Sequence, residues 1–197
     1  MRSLFIILFS VFALLSCNQK EKQSGKKQPD KKNENPAYTI SKDGLGELKI
    51  GMTQTELEKL LGQKLTLKHA NDPGDVWADT ATAKYKDIEV SLYFERRYNE
   101  DEDIKIMELF AVETTSPLCK TAAGLGIGDE RADVLAAFED NPINMGPEYE
   151  QVNDSTWAPS KIKYSINVKD DKWDRELIFH LVNKKVNSLA ASIIMGE

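Results

Sequence analysis

Few side chains in this sequence could act as catalytic nucleophiles or bases. The chain has two histidines, His69 in a polar, loop-like stretch and His180 in an alternating, strand-like segment. Alternation of that kind is typical of a half-buried structural residue. Cys119 is expected to be a small core residue, and no nucleophile-elbow motif, G-x-S-x-G, occurs. We therefore predict no catalytic residues, and a hydrolase built from scattered Ser, His and Asp is the least favoured alternative.

Metal and nucleotide motifs are equally weak. Zinc requires three or four closely arranged His, Cys or acidic ligands, and no such spacing occurs. The acidic run Glu100–Asp103 lacks the glycine and ligand spacing of a calcium loop, which favours a solvated hairpin tip. The glycines of Gly124–Gly128 lack the spaced final glycine of a dinucleotide loop and no strand-first βαβ unit surrounds them. We predict no metal site and no cofactor.

The N-terminal residues could carry a different chemistry, the attachment of lipid. A basic start, Met1–Ser3, precedes a largely apolar run of twelve residues, Leu4–Leu15, and Ser16 and Cys17 follow. This is the layout of a secretory signal, and twelve residues are too few to span ~30 Å of hydrocarbon. The stretch Leu14-Leu15-Ser16-Cys17 resembles the bacterial lipobox, in which lipid joins the cysteine sulfur before cleavage. The resemblance implies a signal peptide at 1–16, and a lipid anchor on Cys17 that holds the protein in the bacterial cell envelope, with the outer membrane expected.

Residues 18–36 are predicted to be a disordered tether. They hold six lysines and three acids with no aromatic or aliphatic side chain other than the prolines, so they cannot bury enough apolar area to offset chain entropy. Residues 37–197 are expected to form the globular domain. After the seven basic and three acidic residues of 1–36 are removed, 19 Lys and Arg face 29 Asp and Glu, a net charge of −10. An acidic domain of this kind is a poor nucleic-acid binder.

Two segments of the domain, Leu48–Leu61 and Leu125–Phe138, share one pattern. Gly51 coincides with Gly128, and the acid Glu56 with Asp133. The coinciding apolar positions are Leu48/Leu125, Ile50/Ile127, Leu57/Val134, Leu60/Ala137 and Leu61/Phe138. The last three pairs have the spacing i, i+3, i+4, which predicts a helix with one buried face in each segment.

The helix ends carry local signals of their own. Thr53 with Glu56 is a capping box, which satisfies two backbone donors at the start of the first helix. Gly62 is placed to close this helix in the left-handed conformation. For the second helix we predict Asp129 as the cap.

Alternating segments predict strands after each helix. Trp77 and Trp157 are expected to precede the first strand of their halves. The predicted strands are 88–95, 104–113, 162–168, 176–182 and 189–195. A helix followed by antiparallel sheet, used twice, predicts an α+β fold of two tandem units at about 44–115 and 116–197.

The pattern Ile50-Gly51-Met52-Thr53, followed by Leu57 and Leu60-Leu61-Gly62, resembles the opening of the β-lactamase-inhibitory-protein-like fold. That family includes lipoproteins of the outer-membrane assembly machinery. The resemblance implies that two units form one continuous concave sheet with helices on one face. The matched positions are a turn glycine, a cap and a core stripe, so the resemblance transfers no active site. The disulfides of the inhibitor are absent here.

Exposed aromatic side chains are the remaining candidates for binding. Tyr93 lies on the polar face of the 88–95 strand, and Trp77, Trp157 and Trp173 lie in polar contexts. Exposed aromatics often anchor protein interfaces, although each of the four could instead cover an edge of the core. We predict a lipid-anchored, non-catalytic envelope protein that binds a partner protein through its sheet face or loops. The alternative is a receptor for a small ligand or glycan in the concave face.

Overall fold

The computed structural model describes residues 35–69, 78–98, 105–153, 155–172 and 174–194. The predicted signal peptide, Cys17, most of the tether, the acidic run Glu100–Asp103, Trp77 and Trp173 all lie outside these ranges. Within them, no helix is both long enough and apolar enough to cross a membrane.

The described part of the chain is mostly antiparallel β-sheet with two short α-helices, α1 (Gln54–Leu61) and α2 (Arg131–Ala137). A single 3-10 turn, Pro36–Tyr38, precedes the first strand. The strands are β1 (Ile40–Ser41), β2 (Gly44–Leu45), β3 (Leu48–Lys49), β4 (Asp79–Tyr85), β5 (Ile88–Tyr98), β6 (Lys105–Thr114), β7 (Ile143–Asn153), β8 (Thr156–Lys169), β9 (Arg175–Val182) and β10 (Lys185–Ile193).

The strands form one small sheet and one large sheet. The small sheet has the order β1-β2-β3, and the large one has the order β4-β5-β6-β10-β9-β8-β7. The three strands that follow α1 and the four that follow α2 therefore share a single antiparallel sheet, joined where β6 pairs with β10. The two parts are unequal, because the second contributes an extra edge strand, β7.

One face of the large sheet forms the core. A row of buried side chains crosses it through the registered partners Ala81, Leu92, Val112, Ala191, Leu177 and Val168. Leu57 of α1 and Val134 of α2 belong to the same buried cluster. The ring of Phe138, at the end of α2, lies 5.6 Å from that of Phe179 on β9. Both helices thus cover this face, and we call the opposite side of the large sheet the open face.

The start of α1 agrees with the sequence, whereas that of α2 does not. The Thr53 side chain accepts from the Glu56 amide, the Glu56 carboxylate accepts from the Thr53 amide, and Gly62 ends the helix with φ 65°. In the second helix the cap is Glu130, whose side chain makes no capping hydrogen bond. The prediction for Asp129 was wrong because its carboxylate instead accepts from the Gly126 amide at 2.7 Å, one turn earlier.

The predicted apolar stripe of α1 is only partly buried. Leu57 is fully buried, but Leu60 is 37% exposed. The helix spans Gln54–Leu61, barely two turns, so it offers a narrow contact with the sheet. Leu60 lies outside that contact.

The two glycine turns that precede the helices make the same contacts. Gly51 donates its N–H to the carbonyl of Leu109, and Gly128 donates to that of Val186, both at 2.8 Å. Both glycines have φ 90°. In each half the next residue of the contacted strand, Phe110 or Asn187, is the extra residue of a β-bulge. Corresponding positions differ by 77 in number, as 51 and 128, 109 and 186, and 110 and 187 do.

The five predicted strands correspond to β5, β6, β8, β9 and β10, whereas the short strands β1, β2 and β3 and the longer strands β4 and β7 were missed. Trp157 was expected to precede the first strand of its half, but it lies inside β8, after β7. The sequence of β7, INMGPEYEQVN, contains glycine and proline and has no fully buried residue. It therefore lacks the apolar alternation by which the other strands are recognised.

Candidate functional site

A hairpin projects from the edge of the large sheet. Strand β8 pairs with β9 only over Lys163–Lys169. Its first part, Thr156–Pro159, pairs with β7 alone, over Tyr149–Asn153. We call the hairpin 149–159 the arm. At its tip the Asn153 side chain accepts from the Ser155 amide at 3.2 Å, which closes the turn.

Ser160 fixes the bend at the base of the arm. Tyr164 lies opposite Pro147 and Pro159 opposite Tyr149, so two steps along β7 correspond to five along β8. The extra residues form a bulge, which bends a hairpin and re-aims its side chains. The Ser160 hydroxyl accepts from the amides of Ile162 at 3.2 Å and Lys163 at 3.0 Å. The direction of the arm therefore depends on one buried hydroxyl.

The arm carries the most exposed large apolar side chains of the described residues. Tyr149 is 65% exposed, Val152 64% and Trp157 61%. Trp157 pairs with Gln151, and Tyr149 with Pro159. Paired residues point to the same side of an antiparallel hairpin, as do alternate residues along a strand. One side of the arm is thus aromatic and uncharged.

The nearest charged groups of the arm are engaged elsewhere. Glu150 pairs with Ala158, on the side opposite Trp157, and its carboxylate lies 3.9 Å from the Lys163 ammonium. Glu148, at the base of the arm, contacts the His180 ring at 2.7 Å. An approaching surface would therefore meet Trp157 and Tyr149 without displacing a charged side chain.

Tyr93 does not join this surface. It lies on the open face in β5, separated from β8 by β6, β10 and β9. Its hydroxyl donates to Glu113 at 2.9 Å, and its ring packs 6.3 Å from that of Phe110. Burial, with the Glu113 charge, raises the pKa of Tyr93 well above its usual range. With its ring and its hydroxyl both engaged, Tyr93 offers less free surface than Trp157, and its role in binding stays a prediction.

A row of polar side chains crosses the open face and places a serine beside a histidine. The row consists of Glu113, Ser188, His180 and Glu148. Ser188 is the register partner of His180, and His180 Nδ1 contacts Glu148 Oε1 at 2.7 Å. Ser188, however, donates its hydroxyl proton to Glu113 at 2.6 Å and is only 3% exposed. In this arrangement the proton points away from the imidazole, whereas a nucleophile requires a base that accepts it. The geometry is that of a structural hydrogen-bond network.

The other candidate groups are placed as follows. His69 contacts the buried carboxylate of Asp79 at 2.9 Å, and the Arg96 guanidinium holds the same carboxylate. Cys119 is buried, and burial raises the pKa of its thiol to about 11, so the reactive thiolate is disfavoured. Among the described residues, no three His, Cys, Asp or Glu side chains are grouped so as to hold a metal ion.

Sequence reasoning selected Trp157 and missed the element that presents it. The sequence did contain a signal for this hairpin. The turn-favouring residue types at 153–155 lie between two segments that contain Tyr149 and Trp157, and such an arrangement is typical of a hairpin. Trp77 and Trp173 lie outside the described residues, as does Cys17.

No protein-family model, curated protein or solved structure gives a significant match to the sequence.

Proposed function

We propose that the protein is a lipid-anchored, non-catalytic lipoprotein of the bacterial cell envelope that binds a partner protein through its arm. The observation that carries the proposal is the uncharged aromatic side of the arm, with Trp157 and Tyr149 both more than 60% exposed. Tryptophan and tyrosine dominate the binding energy of many protein interfaces. Neighbouring exposed apolar side chains of this kind often mark an interaction site.

The shape of the arm favours a protein partner over direct insertion into lipid. A hairpin that enters a bilayer leads with its tip, and here the described residues on either side of the tip, Asn153 and Ser155, are both polar. The apolar side chains lie along the side of the hairpin, where they would fit a recess in another protein. Burial of a tryptophan and a tyrosine removes about 150–250 Å² of surface for each.

Site-specific photo-crosslinking tests the arm. A benzoylphenylalanine probe at Gln151, opposite Trp157, should give one discrete adduct in intact envelopes. The Trp157→Ala change should reduce the adduct at least tenfold, because it removes the anchor and leaves the fold intact. Leu118→Ala, which truncates another exposed apolar residue (50% exposed) far from the arm in sequence, is the control and should leave the adduct unchanged. An adduct that survives Trp157→Ala, or the absence of any adduct, would contradict the proposal.

The lipid anchor rests on Leu14–Cys17 and has its own test. In a bacterial host fed an alkyne fatty acid, the protein should incorporate label, and Cys17→Ser should abolish it. Cys119→Ser is the matched control, because Cys119 is the one other cysteine of the chain. Label retained in the Cys17 variant would disprove lipidation at this residue.

The finer architecture, two tandem helix-plus-sheet units in one concave sheet, belongs to the same proposal. It is supported by the constant offset of 77 between the glycine turns, their strand contacts and their bulges. The same offset relates Glu113 to Ala190, and these two residues are register partners at the β6–β10 junction. A two-fold axis through that pair would exchange the two units.

Glycine substitutions test this equivalence. Gly51 and Gly128 both have φ 90°, and an added Cβ would meet open space at either one. Alanine at either position should therefore lower the free energy of unfolding only by the strain of the left-handed backbone, about 1–3 kcal/mol. The two substitutions should have similar effects. Gly146→Ala, which also meets open space but has no positive φ, should cost little. A large effect at one turn glycine with none at the other would refute the equivalence.

A further inference from the structure

The open face carries a cavity at the end remote from the His180–Glu148 contact. Its volume is about 430 Å³, and its lining includes Asn144, Asn167, Lys169, Glu176, Phe110 and Ile193. The cavity is an open depression in the sheet surface, and its volume lies within the range of small-molecule sites, about 300–1,000 Å³. It belongs to the sheet surface, which the proposed binding through the arm leaves unused.

The strand register explains how the polar groups converge. Asn144 on β7 faces Asn167 on β8, and Lys169 on β8 faces Glu176 on β9. The Asn167 amide donates to the Glu176 carboxylate at 3.1 Å, which fixes both side chains. Two carboxamides, one ammonium and one carboxylate are thereby held in adjacent rows on the same side of the sheet.

The apolar wall exists because of a bulge. In the β5–β6 pair, Phe94 faces Leu109 and Tyr93 faces Ala111, so Phe110 is the extra residue of β6. A bulge of this kind redirects side chains. Phe110 joins Ala78 and Ala111 in a second apolar cluster, against which Tyr93 and Ile193 pack, separate from the main core. Ser192 of β10 has a small side chain. It leaves room for the cavity between the apolar wall and the polar side chains of β7, β8 and β9.

The charge of the cavity selects against ionic ligands. Its lining holds one cation, Lys169, and one anion, Glu176, and these face each other across β8 and β9, so each offsets the charge of the other. Carboxamides, an ammonium, a carboxylate and a hydroxyl offer both donors and acceptors. A neutral ligand with many hydroxyl groups requires both donors and acceptors of this kind. The apolar wall can pack against the C–H groups on one face of a sugar ring.

We propose that this cavity binds a small neutral saccharide through Asn144, Asn167 and Glu176, with its ring against Ile193 and the small accessible part of Phe110, which is 3% exposed. Saccharide binding is a second activity of the protein, and it does not depend on protein binding through the arm. Asn144 is exposed at the rim of the cavity, where its carboxamide can reach the ligand directly.

Saturation-transfer NMR on the full-length protein in detergent tests the proposal with three neutral disaccharides, cellobiose, maltose and N,N′-diacetylchitobiose. At least one should bind saturably in the millimolar range or tighter. Asn144→Ala should raise its dissociation constant at least fivefold without changing thermal stability, since Asn144 is exposed. Glu176→Gln, which preserves the shape of the site, should raise the dissociation constant by a similar factor.

Two matched variants complete the test. Thr82→Ala lies on the same face near the opposite edge of the sheet and should leave binding unchanged, as should Trp157→Ala in the arm. The proposal is overturned if none of the three disaccharides binds, if binding is indifferent to Asn144→Ala and Glu176→Gln, or if the anion gluconate binds more tightly than every neutral sugar. Saccharide binding with no arm adduct, or the reverse, separates this proposal from the one for the arm.

Discussion

Glu113 on β6 accepts a hydrogen bond from Ser188 on β10 at 2.6 Å. This bond crosses the junction at which the strands following α1 meet those following α2. The second carboxylate oxygen accepts from Tyr93 at 2.9 Å, so Glu113 links three strands on the open face. The junction is therefore held by side-chain bonds in addition to the backbone ladder.

Removal of the Ser188 hydroxyl should weaken this junction. We expect Ser188→Ala to lower the free energy of unfolding by about 1–2 kcal/mol, because one Glu113 oxygen then loses its donor. Urea unfolding followed by circular dichroism measures the change. Ser91→Ala is the control, since Ser91 lies opposite Glu113 on the same face and its change should stay below about 0.5 kcal/mol. Equal effects at the two serines would show that the hydrogen bond contributes nothing.

The ion pair between Asp79 and Arg96 should be a larger contributor. The Asp79 side chain is 2% exposed and receives two guanidinium hydrogen bonds, at 2.5 and 2.7 Å. Asp79→Asn should cost about 3 kcal/mol, because it removes the buried carboxylate charge that receives the two Arg96 hydrogen bonds. Thermal and urea unfolding measure the cost. Glu95→Gln, which breaks an exposed pair with Arg97, should cost less than about 1 kcal/mol. A result in the reverse order would be incompatible with this assignment.

The two helix starts should respond differently to truncation of their caps. Thr53→Ala removes a side chain that accepts from the Glu56 amide, and should destabilise the protein by about 1 kcal/mol. Glu130→Ala should cost less than about 0.5 kcal/mol, because Glu130 makes no capping bond and its contact with Lys185 is exposed. Paired melting curves decide the question, and a Glu130 effect equal to that of Thr53 would count against it.

Alkaline pH should destabilise the protein through Cys119. Burial raises the pKa of this thiol from 9.0 to about 11. The unfolded chain therefore releases the proton first, and stability falls as the pH rises from about 9 to about 11. In Cys119→Ala this part of the decline should be absent from melting temperatures recorded with reductant between pH 7 and 11. Tyr93, whose pKa is also raised, should preserve a residual decline above pH 10, which Tyr93→Phe should reduce. An unaltered slope in Cys119→Ala would show that the thiol ionises equally in both states.

Local patterns were sufficient for several features of the fold. The capping box of Thr53, the left-handed Gly62 and the strands around residues 88–95 and 176–182 all follow from residues close together in sequence. The burial of Cys119 was also predicted. These features depend on backbone preferences and on periodicity, which a short segment expresses by itself.

Other features depended on partners that are distant in sequence. Asp79 would be assigned to solvent from its charge alone, and it is buried because Arg96 is brought beside it by the β4–β5 register. Strand β7 has almost no apolar alternation and is held by its pairing with β8. Aspartate is a residue type that often caps helices, but the Asp129 carboxylate accepts from the Gly126 amide instead of from the start of α2.

The candidate sites show the same division. The sequence alone determined that the domain is acidic, that it contains two glycine-to-helix segments, and that Trp157 lies in a polar context. Only the tertiary structure decided that Trp157 lies on a projecting arm, that Tyr93 is engaged with Glu113, and that one bulge places Phe110 beside the open-face cavity. The physical reason is that strand register and bulge position are set by pairing free energy between segments far apart in the chain, which no single segment encodes.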